Sequence, residues 1–315
     1  MPTYDELVKE ISAIPDPVQG INAIREKLYT ALKLIGTIRK DKNVIFYASS
    51  FLQKTTAPNF TTSITPEDIN GFMSMLCGMK CDKGLTLILH TPGGITNAAE
   101  TIGDYLISKF KEIEVIIPVY AMSAGTMISF ISQNIIMGKQ SQLGPIDPQM
   151  PSFNGRFVAA KAIIEQFNRA KKDIESDTKL AHVWAPILQS LGPALLAEAE
   201  DAMGYSDSII TRWLEKRMFG KFPSAEAKKL SSSVAHHFSI QHKSHGTRID
   251  RDEARKEKLE IEDLEKDQNL QDAVLTAYHL VTMIFQRTPT TKLIINDSNK
   301  LWLNNYLPGI PAMMV

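Results

Sequence analysis

The sequence predicts an α/β fold built on a mostly parallel sheet, and three observations carry that reading. Between residues 43 and 138, short apolar runs rich in β-branched residues alternate with segments of helical spacing. The runs are apolar along their whole length, as strands covered on both faces are. Each passes to the next element through a turn containing Gly, Pro or Ser, the punctuation expected of successive βα units.

In chain order, residues 4–13 and 17–37 have helical spacing, with Ile21, Ile24, Leu28, Leu32 and Ile35 along one face and Pro15 and Pro17 separating the two helices. NVIFYASSF (43–51) reads as a strand. A polar loop then leads to a helix start at Thr65-Pro66-Glu67-Asp68, where Thr65 can cap and Pro66 suits the first position. LTLILHT (85–91) is a strand and NAAETIGDYLISKF (97–110) a helix. VIIPVYAM (115–122) is a strand, SAGTMISFIS (123–132) a helix and NIIMG (134–138) a strand. After LGPIDPQMP the character changes. Residues 156–230 are helical in pattern with a break at Leu191-Gly192-Pro193, and residues 231–255 are polar and His-rich. A further apolar helix covers 271–287, and the tail offers one strand and an irregular arm. This divides the chain into an N-terminal helical segment (1–40), a domain (41–290) with a helical insert at about 156–230, and a C-terminal arm (291–315).

Composition narrows the function classes. Hydrophobic residues make up 43% and charged residues 22%, as in an ordinary globular protein. Lys plus Arg equals Asp plus Glu at 35 each, which argues against nucleic acid as the partner, because that affinity is largely electrostatic. Cys77 and Cys81 stand in a C-x-x-x-C spacing with no second pair, so they read as reduced thiols of a cytoplasmic protein, with no metal or other cofactor expected. The N-terminus lacks the apolar stretch of a signal peptide. Residues 115–137 are long and apolar enough to span a bilayer. The β-branched first half, Pro118 and the Ser123-Ala124-Gly125 break instead favour a buried strand–turn–helix–strand. No stable membrane span is expected, which leaves room for peripheral membrane contact.

Two turns concentrate the chemistry. His90-Thr91-Pro92-Gly93-Gly94 follows one strand, and its glycine N–H groups are open to close approach. Ala121-Met122-Ser123-Ala124-Gly125-Thr126 follows the next, with Ser123 at or near a helix N-terminus. Both fall at the carboxyl ends of strands, where open α/β sheets bind ligands. A serine oxygen that attacks a carbonyl needs donors already in place for the oxyanion. Gly94 or Gly93, and Ala124, are the candidates. Each motif alone is commonly just a turn or a cap; their succession points to acyl transfer.

LTLILHTPGG, then YAMSAGTMI, then LGPIDPQ, resemble the ClpP/SppA clan of serine peptidases, and within it the SppA-like serine dehydrogenase proteinases, over about residues 84–150. Weaker similarity continues in SHGTRIDRDEA (244–254). The resemblance implies a ClpP/crotonase-like spiral of βα units with helical appendages, usually oligomeric. It also implies a nucleophile at Ser123 and an oxyanion site at Gly93 and Gly94. A peptide or protein substrate and a homo-oligomer are expected from it, with the helical insert and terminal arm serving assembly or substrate gating.

The general base is less direct. Where ClpP-type chains carry a His after the Ser, this chain has Asp147. SppA-like relatives use a Ser–Lys dyad, and Lys161 fits best, sharing a helical face with Phe157 and Ile164; Lys172 is a second match. A Lys half-buried among apolar side chains would have the lowered pKa a base requires. The alternative base is His245 with Asp147, a set in unusual chain order. His236, His237, His242 and His245 lack a recognised ligand spacing, so no metal is expected. Two further classes compete with the peptidase. A crotonase-type acyl-CoA enzyme would use the same oxyanion turn without a nucleophilic Ser, and a catalytically silent scaffold would oligomerise and bind peptides.

Overall fold

The computed structural model describes residues 3–151, 157–192, 194–242 and 244–307. It divides into two compact units, Met1–Leu143 with Arg248–Val315, and Gly144–Thr247.

In chain order the first unit begins with helices α1 (Tyr4–Ser12) and α2 (Pro17–Ile38), strand β1 (Asn43–Ser49), and helices α3 (Asn59–Thr62) and α4 (Asp68–Leu76). It continues through β2 (Leu85–His90), α5 (Thr96–Lys109), β3 (Ile113–Ile117), β4 (Tyr120–Ala121), α6 (Ala124–Ser129), β5 (Asn134–Met137) and β6 (Gln142–Leu143). The second unit supplies β7 (Gln149–Pro151), β8 (Phe157–Ala159), α7 (Ala160–Ser176), α8 (Ala181–Gln189), α9 (Leu195–Lys216) and α10 (Ser224–Ile240). The chain then returns to the first unit as α11 (Arg251–Lys256), β9 (Ile261–Asp263), α12 (Gln268–Arg287), β10 (Thr290–Asn296) and β11 (Leu301–Asn305).

The apolar runs became the strands of a seven-stranded sheet in the order β11-β10-β1-β2-β3-β5-β9. The strands from β1 to β9 run parallel, and β10 and β11 add antiparallel neighbours at one side. β1, β2, β3 and β10 are buried almost throughout, as their unbroken apolar character predicts. One core packs the apolar faces of α1, α2 and α12 onto the sheet around Ile24, Leu28, Leu32, Phe46, Ile88 and Val281. A buried acid, Glu114, ties strand starts together. It accepts from Thr86, from Lys42 and from Nε and Nη2 of Arg39, whose Nη1 reaches Glu262. Burial alone would raise the Glu114 carboxyl; the hydrogen bonds from Arg39, Thr86 and Lys42 bring it below its ordinary value instead.

Several elements differ from expectation for physical reasons. The strand expected at 115–122 is two strands, because Pro118 has no N–H to continue the ladder. β3 stays in the main sheet, while β4 pairs in parallel with β6 in a second, two-stranded sheet. The helix expected at 123–132 covers only Ala124–Ser129. Phe157, placed on a helical face with Lys161, lies in β8, which pairs antiparallel with β7, and it is 69% exposed. The first part of the His-rich stretch continues α10 to Ile240, with Val234, Ala235 and Phe238 buried. The stretch from 291, read as an arm, begins inside β10, where Leu293, Ile294 and Ile295 are buried in the sheet. The rest of that arm, 308–315, lies outside the described residues. In the second unit a smaller core gathers Ala160, Ile163, Ala199 and Met203 from α7 and α9. Among the described residues no helix is long and apolar enough to cross a membrane. Cys77 and Cys81 are free thiols.

Candidate active site

β2 and β4 carry the two turns, and a pair of backbone bonds joins them. Thr91 N–H donates to Tyr120 O at 2.9 Å, and Met122 N–H donates to Thr91 O at 3.1 Å. The chain after Thr91 therefore runs beside the chain that ends in Ser123. Gly93 lies so close that a Cβ on it would sit 2.6 Å from both Ser123 Cβ and Met122 O, and its φ is +100°. Only glycine meets both demands.

Ser123 itself has φ +50° and ψ −117°, a conformation costly for a residue with a Cβ and typical of functional turns. Gly125 N–H to Met122 O (2.8 Å) and Thr126 Oγ1 to Ala121 O (2.7 Å) hold it there. The Ser123 hydroxyl does not cap α6.

The donors around Ser123 are not equivalent. Gly93 N–H is spent on Thr91 Oγ1 at 3.2 Å. Gly94 N–H and Ala124 N–H have no partner among the described residues, and Gly94 is exposed. Gly94 is fixed by a neighbour that sequence reasoning missed. Ile64, in the loop before α4, donates its N–H to Gly93 O at 2.8 Å and accepts from Ile95 N–H at 3.0 Å. A Cβ on Gly94 would lie 2.3 Å from Ile64 O and 2.4 Å from Ile64 N. No sequence signal marked Ile64, because its contribution is backbone alone.

The second unit brings two other predicted residues together. Asp147, 1% exposed, pairs its Oδ1 with His245 Nδ1 at 2.8 Å, and its Oδ2 accepts from Gln149 Nε2 at 2.9 Å. A carboxylate only accepts, so Nδ1 carries the hydrogen and Nε2 is left as the acceptor nitrogen. Lys161 is engaged otherwise. Its ammonium donates to Ile240 O at 3.3 Å and to His242 O.

Comparison with known proteins bears on the segment that carries both turns, Asp147 and Lys161, and not on His245. Residues 50–188 match the family described as ClpP-like SDH-type serine proteinases. Two uncharacterized proteins of Methanocaldococcus jannaschii are similar to this chain, one 38% identical over 112 residues and one 36% identical over 115. The matches cover 35% and 36% of this chain, and the chain spans 38% of the length of each relative. Among solved structures, a serine-to-alanine variant of the 1510-N membrane-bound stomatin-specific protease aligns with TM-score 0.39 and 15% identity, covering 63% of this chain and 74% of that one. A lysine-to-alanine variant of the same protease, in complex with a substrate peptide, aligns with TM-score 0.38 and 16% identity over 63% and 70% of the two chains.

The matched segment also contains a histidine next to the Pro-Gly-Gly turn. His90 is 1% exposed, and neither ring nitrogen has a partner among the described residues. Phe51 and Tyr278 pack on its ring at centroid distances of 5.1 and 4.9 Å. Burial pushes its pKa down to about 3, so it stays neutral and enclosed and does not serve as a base. Its shift fixes a sign. Below its ordinary value of 6.5 only the unfolded chain takes up the proton, so stability is lost as pH falls from 6.5 toward 3. The expected loss is about 1.4 kcal/mol per pH unit. Comparing His90→Phe with the parent by urea unfolding at several pH values in that window should show this contribution absent from the variant; equal pH slopes would exclude it.

Proposed function

We propose that this chain is a serine peptidase that forms an acyl-enzyme on Ser123. The observation that carries the proposal is the strained Ser123, packed against Gly93, with the N–H groups of the next residues in each turn, Gly94 and Ala124, unengaged. Ser123 Oγ attacks the peptide carbonyl carbon and gives up its proton to a base. The carbonyl oxygen takes the negative charge and receives hydrogen bonds from Gly94 and Ala124. As the intermediate collapses, the C–N bond breaks and the amine leaves with the proton. Water then attacks the ester by the same route and frees Ser123. Gly93, whose N–H is already used, contributes closeness of approach rather than a donor.

For the base we favour His245, oriented by Asp147. The buried carboxylate on Nδ1 selects the tautomer whose Nε2 accepts a proton and stabilises the imidazolium that results. The Lys161 ammonium is instead taken up by two backbone carbonyls, Ile240 O and His242 O. A fluorophosphonate probe tests the whole reading, with the modified residue located by peptide mass spectrometry. Label on Ser123 is expected, and a folded protein that takes none would refute the peptidase. His245→Ala should slow labelling by about 10²-fold while Lys161→Met leaves it near the parent rate. The reverse result would move the base to Lys161. A homo-oligomer belongs to the same proposal, and light scattering on the purified chain would exclude it by returning a monomer mass.

A further inference from the structure

A buried ionic cluster, distant in sequence from both turns, ends on the loop that holds Gly94. Lys292 on β10 and Asp68 at the start of α4 have side chains 1% and 0% exposed and meet at 2.5 Å. Lys292 Nζ also donates to Ser63 O and Thr65 Oγ1, each at 3.0 Å. Asp68 Oδ2 accepts from Tyr47 OH at 2.9 Å and from Thr65 N–H at 3.0 Å. The three donors of the ammonium are thus all used. Burying such a pair costs desolvation that a well-packed apolar pair would avoid, so stability alone does not account for it.

The bonds are concentrated where geometry matters. They fix Ser63 and Thr65, the residues on either side of Ile64, and Ile64 is the backbone partner of Gly93 and Ile95. A second route runs through Tyr47, whose phenol lies against Thr91 as well as Asp68. Thr91 Oγ1 in turn accepts from Gly93 N–H. Burial, and then the charge of Asp68, hold the Tyr47 hydroxyl well above its ordinary 10.0, so it remains a donor. Both routes start at Asp68 and finish on the Pro-Gly-Gly turn.

We infer that Lys292, Asp68 and Tyr47 form a positioning element that clamps the Ser63–Thr65 strap and through Ile64 aims the Gly94 N–H. The inference rests on the peptidase reading for its purpose, and the strap itself can be probed without it. Thr65→Val removes the hydroxyl that Lys292 and Asp68 share while keeping the shape. Labelling by the fluorophosphonate should slow by about 10-fold, as expected for a small displacement of a catalytic group, and Thr65→Ser should restore it. Hydrogen–deuterium exchange should show faster exchange at Ile95 in Thr65→Val, with β2 still protected. Lys292→Met should do the same more strongly; where it does not fold, Thr65→Val decides. A folded Thr65→Val that labels at the parent rate and keeps Ile95 protected overturns the clamp. So does one that loses protection across β2 and the strap alike with unchanged labelling, which marks a purely structural cluster. A parent protein that never labels removes the peptidase reading, and the exchange at Ile95 still decides whether the cluster holds the strap.

Discussion

Ser123→Ala is expected to abolish fluorophosphonate labelling and to lower peptide hydrolysis by on the order of 10⁴-fold or more, the scale on which removing an acyl-enzyme nucleophile acts. The fold should be untouched. The hydroxyl makes no capping bond to α6, and alanine carries the same Cβ as serine, so the cost of φ +50° is the same in both. Melting temperatures of parent and variant should therefore agree within a degree or two, while turnover of a fluorogenic peptide disappears. Residual proteolysis at the parent level would show that a contaminant or another residue does the chemistry. An unchanged melting temperature is as much part of the expectation as the lost activity, because it separates a missing nucleophile from a collapsed turn.

Gly94→Ala should cost on the order of 10²- to 10³-fold in kcat, the range reported for loss of one oxyanion donor. The added methyl would fall 2.3 Å from Ile64 O and 2.4 Å from Ile64 N, both backbone atoms that cannot swing aside. Either the turn or the strap must move, and both carry the donor's aim. Stability should fall by about 1–3 kcal/mol, as for other overpacked sites. Steady-state kinetics on a fluorogenic peptide would check the first part and urea unfolding the second. KM should change less than kcat, because the oxyanion exists only beyond the ground state. A variant that keeps the parent kcat would remove Gly94 from the oxyanion site.

The parts of the fold and of the candidate site written in local sequence were legible, and the parts built across the chain were not. The βα alternation from 43 to 138 announced the sheet, since each strand is a compact apolar run between turn residues. The Pro-Gly-Gly turn and Ser123 stood out because special backbone demands select special residues. Pro118 was visible but underused; its missing N–H divides a run that hydropathy alone presents as one strand. Lys161 shows the opposite failure. Helical spacing set it beside Phe157, yet Phe157 belongs to a strand and the Lys161 ammonium answers to two carbonyls some eighty positions away. Asp68 was read as part of a helix start, and it does accept from Thr65 N–H, but its partner Lys292 is 224 residues distant. No periodicity encodes a pairing of that range.

The division at Pro118 has one more consequence. β4 is two residues long, and its bridge to Thr91 fixes which way each following side chain faces. Side chains alternate between faces along extended chain, so adding or removing one residue between Pro118 and Ser123 would turn the Ser123 side chain to the other face. Most connections tolerate changes in length; this one works as a ruler, and its length, more than its composition, sets where Ser123 faces.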